Sequence, residues 1–175
     1  MCIVVDSCVL SKVFRSSDKN HKKFANVCSW IISGDGKLVY GGTKFIKEIS
    51  EDQVWFLKFL RMLQESGKAV RADTKKVDAR QKIVEGLVTD PDFDDPHLIA
   101  LIGVTGCKLI ATVDKRAEKF LQDKNLYPKG INTPAIFKDS AKHGALLTAQ
   151  NIGKCCCPKK KLNKQHQTQI GLPTI

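Results

Sequence analysis

The sequence predicts an α/β protein, a three-layer α/β/α sandwich around a central, mainly parallel sheet of about five strands. Three observations lead there. Short apolar or β-branched runs alternate with stretches of helical periodicity from the N-terminus to about Leu147. The length of 175 residues suits one domain with a proper core and would be a squeeze for two. Hydrophobic content of 42% with 27% charged residues is that of an ordinary globular chain, not a disordered one.

Taken in order, Cys2-Ile3-Val4-Val5 reads as a buried strand that ends at Asp6. Ser7 to Phe14 and Asn20 to Ile32 have helical spacing, the second with Phe24, Val27 and Ile31 on one face, and Gly34-Asp35-Gly36 breaks it. Leu38-Val39-Tyr40 is a second strand and Gly41-Gly42 a turn. Thr43 follows as an N-cap for a helix carrying Phe45, Ile46, Glu48 and Ile49. Gln53 to Leu63 is an amphipathic helix with Val54, Phe56, Leu57 and Leu60 as its stripe, and Ala69-Val70-Arg71 is a third strand. Asp73 or Thr74 caps a helix through Val84, Asp90-Pro91-Asp92 is a loop, and Pro96 suits the first turn of a helix over His97 to Val104. Gly106 ends that helix, Leu109-Ile110-Ala111 is a fourth strand and Lys115 to Leu121 a helix. Ala135-Ile136-Phe137 is the fifth strand and Ala141 to Leu147 the last helix. Residues 1–150 therefore read as one domain, followed over 151–175 by a basic, Gln-rich tail expected to be poorly ordered.

The net charge of +11, with a sequence pI near 9.4, makes a polyanion the first partner to consider and an anionic membrane surface the second. Lys154, Lys159, Lys160, Lys161 and Lys164 give the tail +5 with no acid, which leaves +6 on the body. Seven cysteines, three of them consecutive (Cys155, Cys156, Cys157) and Cys2, Cys8 and Cys107 in apolar runs, point to buried thiols in a reducing compartment. The stretch Cys2-Val5 is too short and lacks the basic leader of a signal peptide, and no run approaches a membrane span. A cytoplasmic protein is expected. The run Cys155-Cys156-Cys157-Pro158-Lys159-Lys160-Lys161 reads as an accessory basic arm or dispensable terminus in preference to a metal-binding or lipid-modified patch.

The acids are few, 18 against 29 basic residues, yet several fall in awkward places. Asp6 follows one apolar strand, and Asp114 follows another in Leu109-Ile110-Ala111-Thr112-Val113-Asp114. Ligand sites of open parallel sheets gather at such strand ends, where strand order reverses. Glu48 lies at the margin of a buried helical stripe, and Asp94 and Asp95 precede the apolar run Leu98-Ile99-Ala100-Leu101-Ile102. Each has a mundane reading: a strand-end turn for Asp6, a solvated face for Glu48, a helix cap for Asp95 and for Asp114. Together they would repel one another unless a divalent cation held them, and oxygen ligands favour Mg²⁺ or Mn²⁺. No Cys/His spacing offers a competing zinc site.

Four segments resemble the blocks of the PIN-domain family. They are Val4-Val5-Asp6-Ser7-Cys8-Val9-Leu10, Gly41-Gly42-Thr43-Lys44-Phe45-Ile46-Lys47-Glu48, Asp95-Pro96-His97-Leu98-Ile99-Ala100-Leu101, and Gly106-Cys107-Lys108-Leu109-Ile110-Ala111-Thr112-Val113-Asp114. The first and fourth are the most specific, the second is loose, and the likeness covers roughly residues 1–148. The resemblance implies an acidic metal site of Asp6, Glu48, Asp95 and Asp114, supported by Ser7 and by Thr112, with Asp94 a rival for Asp95. Cys8 departs from the pattern, where Asn or Ser is frequent.

The resemblance implies a Mg²⁺- or Mn²⁺-dependent endoribonuclease, in a family whose members include toxins, antiviral effectors and RNA-maturation enzymes. An antitoxin-like protein inhibitor and a homodimer are the protein partners it suggests. A basic rim for RNA would draw on Lys12, Arg15, Lys44, Lys47, Lys115 and Arg116, of which Lys115 and Arg116 are the expected phosphate ligands. Core packing is preferred to base stacking for Trp30 and Trp55. The alternatives are a catalytically silent nucleic-acid-binding module and a structure-specific DNA nuclease of related fold. A phosphate-handling α/β domain of response-regulator type would want a phosphoacceptor aspartate partnered by a late lysine, and none can be placed.

Overall fold

The computed structural model of the chain describes residues 2–151 and 154–156. It is an α/β/α sandwich whose five strands are all parallel, in the order β3-β2-β1-β4-β5. The strands are β1 (Cys2–Val5), β2 (Lys37–Tyr40), β3 (Ala69–Arg71), β4 (Leu109–Ala111) and β5 (Ala135–Phe137). Every residue of β1, β2 and β4 is buried, as continuous apolar runs must be when helices cover both faces of a parallel sheet. Val4 pairs with Val39 on one side and with Ile110 on the other, so β1 is the central strand.

The helices are α1 (Leu10–Phe14), α2 (His21–Ile32), α3 (Thr43–Asp52), α4 (Val54–Glu65), α5 (Thr74–Glu85), α6 (Pro96–Thr105), α7 (Lys115–Leu121) and α8 (Ser140–His143). α1 packs on α2, α2 on α8, and Phe14 of α1 meets Phe56 and Phe59 of α4 at 5.2 and 5.1 Å between ring centroids. α5 packs chiefly against α6. These are the groupings that right-handed crossovers create when the chain steps outward from β1 to β3, then returns past it to β4 and β5. That reversal places a topological switch point between β1 and β4.

All five strands fall where the sequence places them, β2 with Lys37 added, but the stretch Ser7 to Phe14 divides into a 3₁₀ turn and α1, and the helix expected over 141–147 is α8 followed by a 3₁₀ turn, Gly144–Leu146. Four further details differ. Thr43 is the first residue of α3, not its cap. Gly42, at φ +84°, takes the cap position, and the Thr43 amide and hydroxyl both donate to Asp78 of α5, at 2.7 and 2.6 Å. The inward stripe of α4 is Phe56, Leu60 and Leu63, whereas Val54 (61% exposed) and Leu57 point to solvent. The aromatic contacts with Phe14 fix that rotation. Cys8 is exposed, not buried, because the 3₁₀ turn Ser7–Val9 swings it out after β1. β4 ends at Ala111, so Asp114 does not follow the strand directly; Thr112 and Val113 intervene.

Two further points concern surface and tail. Among the described residues no helix is long and apolar enough to cross a membrane. Of the segment read as a basic tail, Lys154–Cys156 form a 3₁₀ turn with Cys156 fully buried, so packing continues past residue 150. Cys157 and the lysines at 159–161 and 164 lie outside the described residues.

Candidate metal centre

The sharp end of β1 creates the site. Asp6 leaves the strand with its amide still bonded to the Ala111 carbonyl of β4 (3.0 Å), which pins its Cα at the switch point. Its side chain is only 4% exposed, and it is heavily solvated by protein donors. Thr112 Oγ1 donates to Oδ2 at 2.6 Å, Cys8 Sγ donates to the same oxygen at 3.2 Å, and the Cys8 amide donates to Oδ1 at 3.2 Å. The turn expected of a strand-end aspartate is therefore present. Cys8 thus bonds Asp6 through both its amide and its thiol. Although the residue is exposed overall, its sulfur is sheltered, and that shelter together with the Asp6 carboxylate pushes the thiol up to about 12. It stays a neutral donor. Thr112 also accepts from the Asp114 amide at 3.0 Å, so one hydroxyl ties the ends of β1 and β4 together.

Glu48 comes in from α3, half-buried, where Ser7 Oγ donates to its Oε2 at 3.0 Å. It stands 3.4 Å from His97 Nε2, and Lys44 approaches its other oxygen at 3.6 Å. Burial is the largest influence on Glu48 and acts upward, but His97, Ser7 and Lys44 together hold its carboxyl below the ordinary range. The solvated-face reading does not describe it.

Asp95 occupies the N-cap position of α6, yet its side chain makes no capping bond. It faces inward instead: its Oδ1 lies 3.9 Å from His97 Nδ1. Burial first, then the charge of Asp6, with Asp94 and Glu48 adding to it against His97, pushes its carboxyl up to about 6. Asp114, by contrast, does cap α7, accepting from the Arg116 amide at 2.8 Å. Asp94 is the more exposed neighbour and pairs with Arg116 Nη2 at 2.8 Å, while the same guanidinium nitrogen reaches Asp114 at 3.4 Å.

Two overlapping groups result. Oxygen or nitrogen atoms of Glu48, Asp95 and His97 lie within 4.8 Å of one another, and so do those of Asp94, Asp95 and Asp114. Asp95 belongs to both, which distinguishes it from Asp94. Asp6 sits behind them, joined through Ser7, Thr112 and its field on Asp95. The fold thus brings the four acids anticipated from sequence to one place. Asp94 and Asp95 also line a small indentation with Phe93, Ile99, Ala117 and Phe120.

His97 is the member that the sequence reading passed over. It is 1% exposed, and among the described residues neither ring nitrogen has a hydrogen-bond partner; the Glu48 and Asp95 oxygens are near but poorly aligned. A buried imidazole with both nitrogens unsatisfied is costly and points to an absent partner. The signal was a histidine opening a helix otherwise made of apolar, buried residues, Leu98 to Ile102.

The basic residues divide. Arg116 lies across the mouth of the acids, Lys44 touches Glu48, and Lys12 Nζ donates to the Cys8 carbonyl at 2.6 Å. Lys115 is exposed at the start of α7. Lys47 turns to Glu51 at 3.8 Å, and Arg15 stacks over the half-buried Trp55 ring at 4.3 Å, so neither of these side chains is directed at the acids. Comparison with known proteins returns no matching family model, no similar curated protein and no similar solved structure.

Proposed function

We propose that the protein is a divalent-metal-dependent phosphodiesterase that hydrolyses RNA, in the manner of PIN-domain endoribonucleases. The observation that carries the reading is Asp95. A carboxylate at a helix N-terminus that declines to cap, and turns instead toward Asp6, Glu48, Asp94, Asp114 and an unsatisfied imidazole, is placed for a cation.

The donor set fits such an ion. Glu48, Asp95 and His97 form one face and Asp94, Asp95 and Asp114 another, and among the described residues neither ring nitrogen of His97 has a hydrogen-bond partner to compete with a metal. An imidazole among carboxylates moves the preference from Mg²⁺ toward Mn²⁺. The ion would polarise a phosphoryl oxygen and lower the pKa of water. The chain supplies the rest. Thr112 and the Cys8 amide and thiol fix Asp6 in orientation, and Ser7 holds Glu48. Arg116, seated on two of the acids, is placed to release them and bind a phosphate when a cation enters, with Lys44 and Lys12 beside it. A body charge of +6 suits a polymeric anion lying across the surface.

The test is incubation of the full chain with mixed RNA and with single-stranded DNA, in Mn²⁺ or in EDTA, beside Asp6→Asn. Cleavage of RNA that needs Mn²⁺ and vanishes in the variant is expected. Cleavage surviving EDTA or the substitution would remove the mechanism, and RNA binding without cleavage under any metal would make the protein a binding module.

A further inference from the structure

We propose that Cys2, Cys155 and Cys156 form a thiolate site for one zinc ion at the opposite end of β1 from the acids. It stands independently of the ribonuclease reading. The Sγ atoms of Cys2 and Cys155 are 3.7 Å apart and those of Cys155 and Cys156 3.5 Å, and all three lie within 4.8 Å of one another. Zn–S bonds of about 2.3 Å at tetrahedral angles put neighbouring sulfurs about 3.8 Å apart. A disulfide would need about 2.05 Å. The two shorter separations match the edge of such a tetrahedron.

The ligands meet by topology. Cys2 opens β1, and the turn Lys154–Cys156 returns from the far end of the chain to cover it. Cys107 stands just before β4, the neighbour of β1; burial, with Cys2 and Cys155 close enough to add to it, raises its thiol well above the usual value. Its Sγ, donating to the Leu109 carbonyl at 3.5 Å, is the buried thiol that can supply the fourth ligand. Cys2, Cys107 and Cys156 are at most 1% exposed. A cysteine that merely fills space behaves as a small hydrophobe and needs no second sulfur beside it; three in mutual contact are ligand geometry.

The donor chemistry selects the ion. Thiolates without carboxylate or imidazole favour zinc, whereas the oxygen-rich set at the other end of the strand favours harder ions. As each thiol binds, its proton passes to solvent. The ion would staple residue 2 to residues 155 and 156 and so anchor the start of the C-terminal segment to the sheet.

The test uses the full chain purified without chelator and washed in excess Mg²⁺ and Mn²⁺, so that the acids hold a hard ion. Metal content is read by atomic emission, and Co²⁺ exchange by its absorption. About one zinc per chain is expected for the native protein and for Cys28→Ser, a buried thiol outside the group, with thiolate-to-cobalt charge transfer after exchange. The double variant Cys155→Ser/Cys156→Ser should retain under about a tenth of that zinc with an unchanged circular dichroism spectrum. Should that variant fail to fold, the native protein's cobalt spectrum decides alone. Native protein without zinc, zinc kept by the double variant, a cobalt spectrum lacking sulfur charge transfer, or a disulfide between any of these cysteines by mass spectrometry would each overturn the proposal.

Discussion

Replacing Asp95 by Asn should make the metal-free protein more stable at neutral pH while ending its response to Mn²⁺. The folded carboxyl titrates at about 6, against an ordinary 3.8, because burial and the surrounding acids penalise its charge. An acid raised in this way holds its proton more tightly folded than unfolded. Stability is therefore lost as pH climbs from about 3.8 through about 6, and the loss is complete above that window. Two pH units correspond to at most about 3 kcal/mol, and with the side chain still 24% exposed a value of about 1–3 kcal/mol is expected. Asn mimics the protonated form and forfeits no capping bond, since Asp95 makes none. The assay is urea unfolding of both proteins in EDTA from pH 3.5 to 7.5. The variant should lead at pH 7.5, with the gap narrowing below pH 6 and closing near pH 3.5. Mn²⁺ at about 100 times its dissociation constant should then add about 2.7 kcal/mol to the native protein and nothing to the variant. A variant less stable than native at pH 7.5 in EDTA, or a gap indifferent to pH, would refute the argument that these acids are held together against their own repulsion.

Three other perturbations probe the same centre. Thr112→Val removes the 2.6 Å donor to Asp6 and the acceptor of the Asp114 amide in a fully buried position, so unfolding in EDTA at pH 7.5 should show a loss of about 1–3 kcal/mol. His97→Gln should weaken Mn²⁺ binding about tenfold or more and Mg²⁺ binding much less, read by calorimetric titration; equal losses for both ions would mean that the imidazole is not a ligand. Arg116→Ala should lower the slope of log affinity for RNA against log salt by about one, without changing the sequence of RNA preferred, in filter binding across 50 to 200 mM salt.

The strands were legible because each is a short apolar run bounded by a polar residue or glycine, and burial on both faces of a parallel sheet allows nothing else: Cys2–Val5 and Leu109–Ala111 match residue for residue. What escaped was set by tertiary partners. Nothing local tells Val54 from Phe56 as the buried residue of α4; Phe14, some forty positions away, decides it. Thr43 has the composition of a cap, but Asp78 on another helix satisfies its amide. Lys68, a charged residue just before β3, is fully buried with Nζ donating to the Gly34 and Gly36 carbonyls. The acids of the site could be found because a carboxylate at a strand end is unusual, whereas His97 could not be weighed until its ring was seen to lack a partner. Cys155 and Cys156 were set aside with the tail because their partner lies 153 positions away, at the other end of the chain.

If both proposals hold, one strand serves two chemistries, and its length keeps them apart. From Cys2 to Asp6 the chain rises about 13 Å at some 3.3 Å per residue, too far for the two ligand sets to share an ion. The amino end offers sulfur and the carboxyl end oxygen with one imidazole, so each set discriminates by donor softness against the ion suited to the other. The ends also differ in what the fold asks of them. Carboxylates at the switch point are buried and crowded against their own repulsion, with Asp95 driven up to about 6, so that end costs the fold stability. Thiols at the amino end pack without such repulsion, and an ion bound there would release their protons to solvent and add its binding free energy to the fold. Removing hard ions should therefore stop chemistry at Asp6, Glu48, Asp95 and Asp114 while leaving the Cys2 end intact.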